Sequence, residues 1–125
     1  MKSLKKYFIL HAPPKDVYNA LTNRVMLEIW TGEPAQMSEE PGTEFSLWSG
    51  SITGRNLEFE AEKKIVQEWY FEGQKTKSIV TLKLHPHKGG TSVELDQTNI
   101  PDEAFKNISE GWDEDYFRAL AELYK

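Results

Sequence analysis

The spacing of apolar positions along this chain changes period near Pro101, and the change predicts its architecture. Before Pro101 the dominant period is two. Phe45 and Leu47 alternate with Glu44 and Ser46; Leu57 and Phe59 alternate with Glu58 and Glu60. Ile65, Gln67 and Trp69 share one face, and so do Val80, Leu82 and Leu84, and then Val93, Leu95 and Gln97. Such alternation marks strands with one buried and one wet face. Turn signals separate the runs: Pro41-Gly42, Ser49-Gly50, Gly54, Gly73 and Gly89-Gly90. After Pro101 the period becomes helical. Trp112, Tyr116, Ala119, Leu120 and Leu123 fall at i, i+4, i+7, i+8 and i+11, and Phe117 and Tyr124 widen the band. Glu114, Arg118 and Glu122 take the opposite side at i, i+4 spacing, which suits weak ion pairs in water. Gly111 costs about 1 kcal/mol inside a helix relative to Ala, so it predicts either a break or a close backbone approach. The expectation is a short turn of helix over 102–106 and a long helix from about Ser109.

Ahead of the strands, Tyr7-Phe8-Ile9-Leu10 reads as a first strand, stopped by Ala12-Pro13-Pro14. Proline suits the first turn of a helix, and Val17, Ala20 and Leu21 follow at helical spacing. A second short helix spans about Arg24 to Trp30, closed by Thr31-Gly32-Glu33-Pro34. The fold class is therefore α+β in a single domain, 1–125. A curved antiparallel sheet of six or seven strands grips one long C-terminal helix, with two short helices after the first strand. The helix band represents on the order of 10 kcal/mol of gross burial, at roughly 1.5–3 kcal/mol per large side chain, and the inner sheet face is its partner. A helix laid over a curved sheet leaves a groove or cavity, the usual form of a small-molecule site.

Charge and composition narrow the function classes. The net charge of −5 sits mostly in 102–125, where seven acids face three bases. No face is rich in Lys and Arg, which argues against nucleic acid. The acidic helix surface reads mainly as a solvated face. There is no cysteine, hence no disulfide or thiol nucleophile. No run approaches the ~20 apolar residues of a membrane span, and Met1 to Lys6 lacks the apolar run of a secretory signal. The expectation is a soluble, cytoplasmic protein without a membrane partner.

Catalytic constellations are sparse. His85 and His87 flank Pro86 beside a glycine turn, and His11 ends the first strand; both places read as exposed surface. Glu58, Glu60, Glu62, Glu68 and Glu94 fall on wet faces, suited to pairing with Lys63, Lys64 or Lys83. No glycine-rich loop is followed by the Lys-Ser/Thr of a phosphate site. The expectation is a non-enzyme, with no cofactor and no metal. The aromatics carry more. Trp30, Phe45, Phe59, Trp69, Trp112 and Tyr116 point inward, and Gln67 and Gln97 share that parity; these eight are the candidate ligand-binding residues. An inward amide needs hydrogen bonds, from a ligand or from the protein itself. Trp69, Gln67 and Trp112 read equally as pocket wall or core, while Phe45, Leu57, Leu82 and Leu95 read as core. Trp48 has outward parity and reads either as a partner anchor or as packed under a loop, with the second preferred.

Several strings together resemble a known family. They are Ala12-Pro13-Pro14 leading into Val17-Tyr18-Asn19-Ala20-Leu21-Thr22, Trp30-Thr31, Gly50-Ser51-Ile52-Thr53-Gly54 and Lys64-Ile65-Val66-Gln67-Glu68-Trp69. Ser78-Ile79-Val80-Thr81-Leu82, Leu95-Asp96-Gln97-Thr98-Asn99-Ile100-Pro101 and Glu110-Gly111-Trp112 complete the set. In order and spacing the chain resembles the START-like superfamily with its helix-grip fold. Within it, the chain is similar to the family named for the activator of the ninety-kilodalton heat-shock chaperone's ATPase. Members often carry Arg after the strand tryptophan, where Tyr70 stands here. The eukaryotic activators have a separate N-terminal domain, for which 125 residues leave no room. Two functions are therefore expected. The first is binding of an apolar small molecule between sheet and C-terminal helix. The alternative, implied by the resemblance alone, is a protein-interaction cofactor that stimulates a heat-shock chaperone's ATPase, with little stimulation expected where the N-terminal domain is missing.

Overall fold

The computed structural model describes residues 1–125. Strand β1 (Lys2–Leu10) leads into helices α1 (Pro14–Thr22) and α2 (Arg24–Thr31). Pro14 occupies the first turn of α1; the Asn23 side chain accepts from the Met26 N–H at 3.0 Å to cap α2, and Gly32, at φ 75°, closes it. Five strands follow: β2 (Glu44–Leu47), β3 (Ile52–Glu60), β4 (Lys64–Trp69), β5 (Ser78–His87) and β6 (Gly90–Ile100). All pair antiparallel in one six-stranded sheet of order β1-β6-β5-β4-β3-β2. The first strand returns beside the last, so Leu4 to Leu10 face Gln97 to Thr91.

The inward parity read from the sequence holds along β4, β5 and β6. Ile65, Gln67, Trp69, Val80, Leu82, Leu84, Val93, Leu95 and Gln97 are all buried. It fails in β3. The register against β4 slips between Asn56 and Glu58, so a bulge places both Leu57 and Glu58 on the outer face. Leu57, expected in the core, is exposed; Asn56 is fully buried instead, and Phe59 returns inward opposite Ile65.

The C-terminal element differs from its expected outline in two ways. After a single 3-10 turn (Asp102–Ala104), helical backbone runs from Phe105 to Glu122, starting earlier than Ser109. Gly111 neither breaks it nor approaches another element; a Cβ there would meet only the Asp115 carboxylate, at 3.8 Å. What changes at Gly111 is the winding. Helix α3 (Phe105–Gly111) gives way to a π-helical segment, Trp112–Phe117, before α4 (Arg118–Glu122). The wider π turn brings Trp112, Tyr116 and Phe117 onto one face, where a 3.6-residue turn would spread them apart. All three are buried, with Leu120, in a core of 22 residues between helix and sheet. The Glu114, Arg118 and Glu122 side chains do not pair with one another; Glu122 meets Lys125 at 2.9 Å, and Asp113 meets Lys6 at 2.7 Å. No helix is long and apolar enough to cross a membrane.

Candidate functional site

All four tryptophans meet in one aromatic cluster under the C-terminal helix. Trp69 at the end of β4 stacks on Trp112 (centroids 4.7 Å, 26° between planes). Trp112 contacts Tyr116 at 4.6 Å, Tyr116 meets Trp30 edge-on at 5.2 Å, and Trp30 meets Trp48 edge-on at 5.7 Å. Such edge-to-face and offset arrangements are those aromatic quadrupoles favour.

Trp48 joins the cluster against its strand parity. Its backbone is left-handed (φ 49°), and Ser49 and Gly50 follow with φ 53° and 94°. Two consecutive non-glycine residues in that region cost of order 1–3 kcal/mol each. The turn redirects the Trp48 indole onto Trp30 and Tyr116, and the Ser49 hydroxyl donates to Glu33 Oε2 at 2.6 Å. Just beyond it, Gly54 lies under the Phe45 ring and against the Glu68 carbonyl, a space no side chain could share.

The polar groups inside the cluster bind each other. Trp69 Nε1–H donates to Gln67 Oε1 (3.1 Å), and Gln67 Nε2 donates to Asn56 Oδ1 (3.1 Å). Asn56 Nδ2 in turn donates to the Ser38 carbonyl and the Thr43 hydroxyl. On the next strands, Trp112 Nε1–H donates to Gln97 Oε1 (2.8 Å), Gln97 Nε2 to Ser78 Oγ (3.1 Å), and Ser78 Oγ to the Thr98 carbonyl (2.8 Å). Trp30 Nε1–H donates to the Ala20 carbonyl at 2.8 Å. The inward amides of Gln67 and Gln97 thus hold the two stacked indoles in place. The Tyr116 hydroxyl is the exception: it makes no hydrogen bond within the chain, and because no buried polar side-chain atom lacks a partner, the oxygen itself reaches solvent although the residue is 4% exposed. Burial pushes its phenol up from the usual range.

Beside this cluster an open groove of about 720 Å³ runs between the C-terminal helix and the turn joining β2 to β3. Trp48, Ile52, Trp69, Trp112 and Tyr116 contribute its apolar floor, with Ile108 and Ala119 from the helix. Of the eight candidate residues, Trp69, Trp112 and Tyr116 therefore border the groove. Gln67 and Gln97 lie behind the indoles they bind, and Trp30 behind Tyr116. Phe45 covers Gly54 in the core, and Phe59, opposite Ile65, lies at the other end of β3. Trp48 and the rim of Glu33, Glu114, Asp115, Arg118 and Glu122 were not among the candidates. The rim residues of the helix read as its water side, and only the helix's placement against the β2–β3 turn makes them a wall.

Elsewhere, the histidines lie on the surface. His85 Nε2 sits 3.1 Å from Glu94 Oε1 on the outer sheet face, where Lys5 also approaches Glu94 at 3.4 Å. No three His, Asp or Glu side chains cluster as metal ligands would.

The family model described as "Activator of Hsp90 ATPase homolog 1-like protein" matches residues 11–125. The chain belongs to that family. Among individual relatives, the "Activator of 90 kDa heat shock protein ATPase homolog" of Dictyostelium discoideum is 33% identical over 115 residues, covering 89% of this chain and 30% of its own length. The human "Activator of 90 kDa heat shock protein ATPase homolog 1" is 23% identical over 124 residues, covering 98% of this chain and 36% of its own. The chain thus spans about a third of the length of the curated relatives it matches. A crystal structure described as an HSP90 activator from Plasmodium falciparum superposes with TM-score 0.89 at 25% identity, covering 98% of this chain and 96% of that one. The fold is the helix-grip fold of this family.

Proposed function

We propose that this domain works by binding rather than by catalysis, as a cofactor that stimulates the ATPase of a 90 kDa heat-shock chaperone. The observation that carries this reading is the match to the Plasmodium structure. A chain described as an HSP90 activator is covered over 96% of its length, at TM-score 0.89, by these 125 residues alone. On this reading stimulation is expected, whereas the resemblance alone led to an expectation of little; the near-full coverage of the Plasmodium chain supports the former. The test is a steady-state ATPase assay of the chaperone from the same source, titrated with the purified chain. A saturable, several-fold rise in rate is expected. An unchanged rate at concentrations that give a measurable complex, or no complex at all, would end the reading.

A second reading rests on the groove. Its volume lies within the roughly 300–1,000 Å³ usual for small-molecule sites, and its floor is mostly aromatic and aliphatic. On this reading the groove holds an apolar small molecule against Trp48, Trp69, Trp112 and Tyr116. The glutamines expected as its polar anchors are engaged with indole N–H groups, so recognition falls to the aromatic floor and the rim. Native mass spectrometry of freshly purified protein is the direct check: a retained small molecule supports this reading.

A further inference from the structure

The charge of the groove's wall specifies a ligand class, an inference that rests on the small-molecule reading above. Around the apolar floor stand four carboxylates, those of Glu33, Glu114, Asp115 and Glu122, against one guanidinium, that of Arg118. Lys125 engages Glu122, and Ser49 donates to Glu33, but Glu114 and Asp115 meet no cation within ion-pair distance, nor does Arg118 meet any carboxylate. The floor is built of Trp48, Trp69, Trp112 and Tyr116, whose π-systems attract cations, tryptophan most strongly. The Tyr116 side chain is more than nine-tenths buried, yet its hydroxyl has no partner in the chain and is left open to the groove the residue lines. An aromatic floor, an acidic rim and one unpaired hydroxyl complement a positive charge carried on an apolar body. A carboxylate-bearing lipid would meet the same rim with its charge reversed.

We propose that this groove is a binding site for a small organic ammonium compound, a protonated amine on an aromatic or alkyl body. The apolar body lies against Trp48, Ile52 and Trp69. The ammonium sits toward Glu114 and Asp115, with its N–H groups in reach of the Tyr116 oxygen as acceptor.

Three probes of one shape test this with the full chain: 4-phenylbutylamine, 4-phenylbutanol and 4-phenylbutyrate. Each is titrated while amide shifts and tryptophan fluorescence are recorded. The amine is expected to bind at the groove with an affinity at least about tenfold above the carboxylate. That advantage should shrink as salt is raised from low ionic strength, since exposed charges are screened beyond about 10 Å at 0.1 M. Glu114→Gln, on an exposed position that leaves the fold intact, should weaken the amine several-fold and leave the alcohol unchanged; Arg118→Gln should strengthen it. If the alcohol or the carboxylate binds the groove as tightly as the amine, the ammonium assignment is overturned while the small-molecule reading stands. If none of the three shifts the groove residues, both are overturned. Groove shifts that grow with protein concentration in the absence of any probe would assign the groove to a second copy of the chain and likewise overturn it.

Discussion

Two indole–amide pairs, Trp112–Gln97 and Trp69–Gln67, set the interior of this protein, and their energetics are asymmetric. An internal hydrogen bond is worth about 1 kcal/mol net, but a buried acceptor left bare costs about 1–3 kcal/mol. Trp112→Phe keeps most of the ring but strands Gln97 Oε1, which has no other donor in the structure. The expected loss is about 1–3 kcal/mol by urea denaturation, against about 3–5 kcal/mol for Trp112→Ala, which also opens a cavity. Adding Gln97→Leu to Trp112→Phe should recover part of the loss, because Ser78 keeps its bond to the Thr98 carbonyl. A Trp112→Phe protein as stable as the parent would show that the bond is not made in solution. At the surface, Glu94 offers a contrast. The His85 ring nitrogen, and after it Lys5, hold its carboxyl below the usual carboxylate range, partly offset by desolvation. A depressed carboxyl stabilises the fold above its unfolded pKa and loses that contribution as pH falls through its folded value. Glu94→Gln should therefore lower the melting temperature modestly near pH 7 and make no difference at pH 2; an equal effect at both would remove charge as the cause. The inward parity of Gln67 and Gln97 was legible in the sequence. Their partners were not: fifteen residues and two elements separate Trp112 from Gln97, and no local pattern records which donor crosses that distance.

At the scale of elements, strands and helices were legible wherever one period ran unbroken, and misread wherever one residue interrupts it. The bulge at Leu57 shifts the following residues of β3 by one, so a strict alternation assigned Leu57 to the core it avoids. Trp48 follows Leu47 out of β2, but its left-handed backbone turns the side chain back under the helix. A 3.6-residue reading of 112–117 found the apolar band and missed the π winding, because both windings keep i and i+4 on the same side. The winding accounts for Gly111 without a break, as the last residue before the helix widens. Gly54 shows how little slack the β2–β3 end retains. Gly54→Ala would drive a methyl into the Glu68 carbonyl and the Phe45 ring, 2.8 Å away. Overpacking of this kind costs typically about 1–3 kcal/mol, and the backbone partner cannot move aside as a side chain would. The variant should melt well below the parent, with amide shifts spreading through β2, β3 and the Trp48 turn. Unchanged stability would mean that the strand pair opens more freely than its register implies.

For the molecule as a whole, the helix-grip architecture follows from the period change near Pro101, and the groove follows from where the helix lies, which sequence alone leaves open. The closure of helix and short helices over the sheet also buries two phenols, and these tie global stability to pH. Tyr18 in α1 is pushed up to about 12, first by burial and then by the neighbouring Glu39 carboxylate. Tyr116 in the C-terminal helix is pushed up by burial alone. In the unfolded chain both lose their protons near 10, the ordinary phenol value. A group whose folded pKa is raised stabilises the fold fully below its unfolded pKa and withdraws that support as pH climbs toward its folded value. The stability of this protein is therefore expected to hold up to about pH 10 and to fall steadily between pH 10 and 12, as the unfolded phenols ionise and the folded ones do not. Urea midpoints measured across that range, with phenolate absorbance followed in parallel, separate this from general alkaline charging. Tyr116→Phe removes the phenol that has no hydrogen bond to lose, so it should cost little at pH 7 and flatten the alkaline fall. If the midpoint instead stays level to pH 12, or Tyr116→Phe leaves the slope untouched, the groove hydrates the Tyr116 phenolate well enough to cancel the burial of its ring, and the phenol does not couple stability to pH.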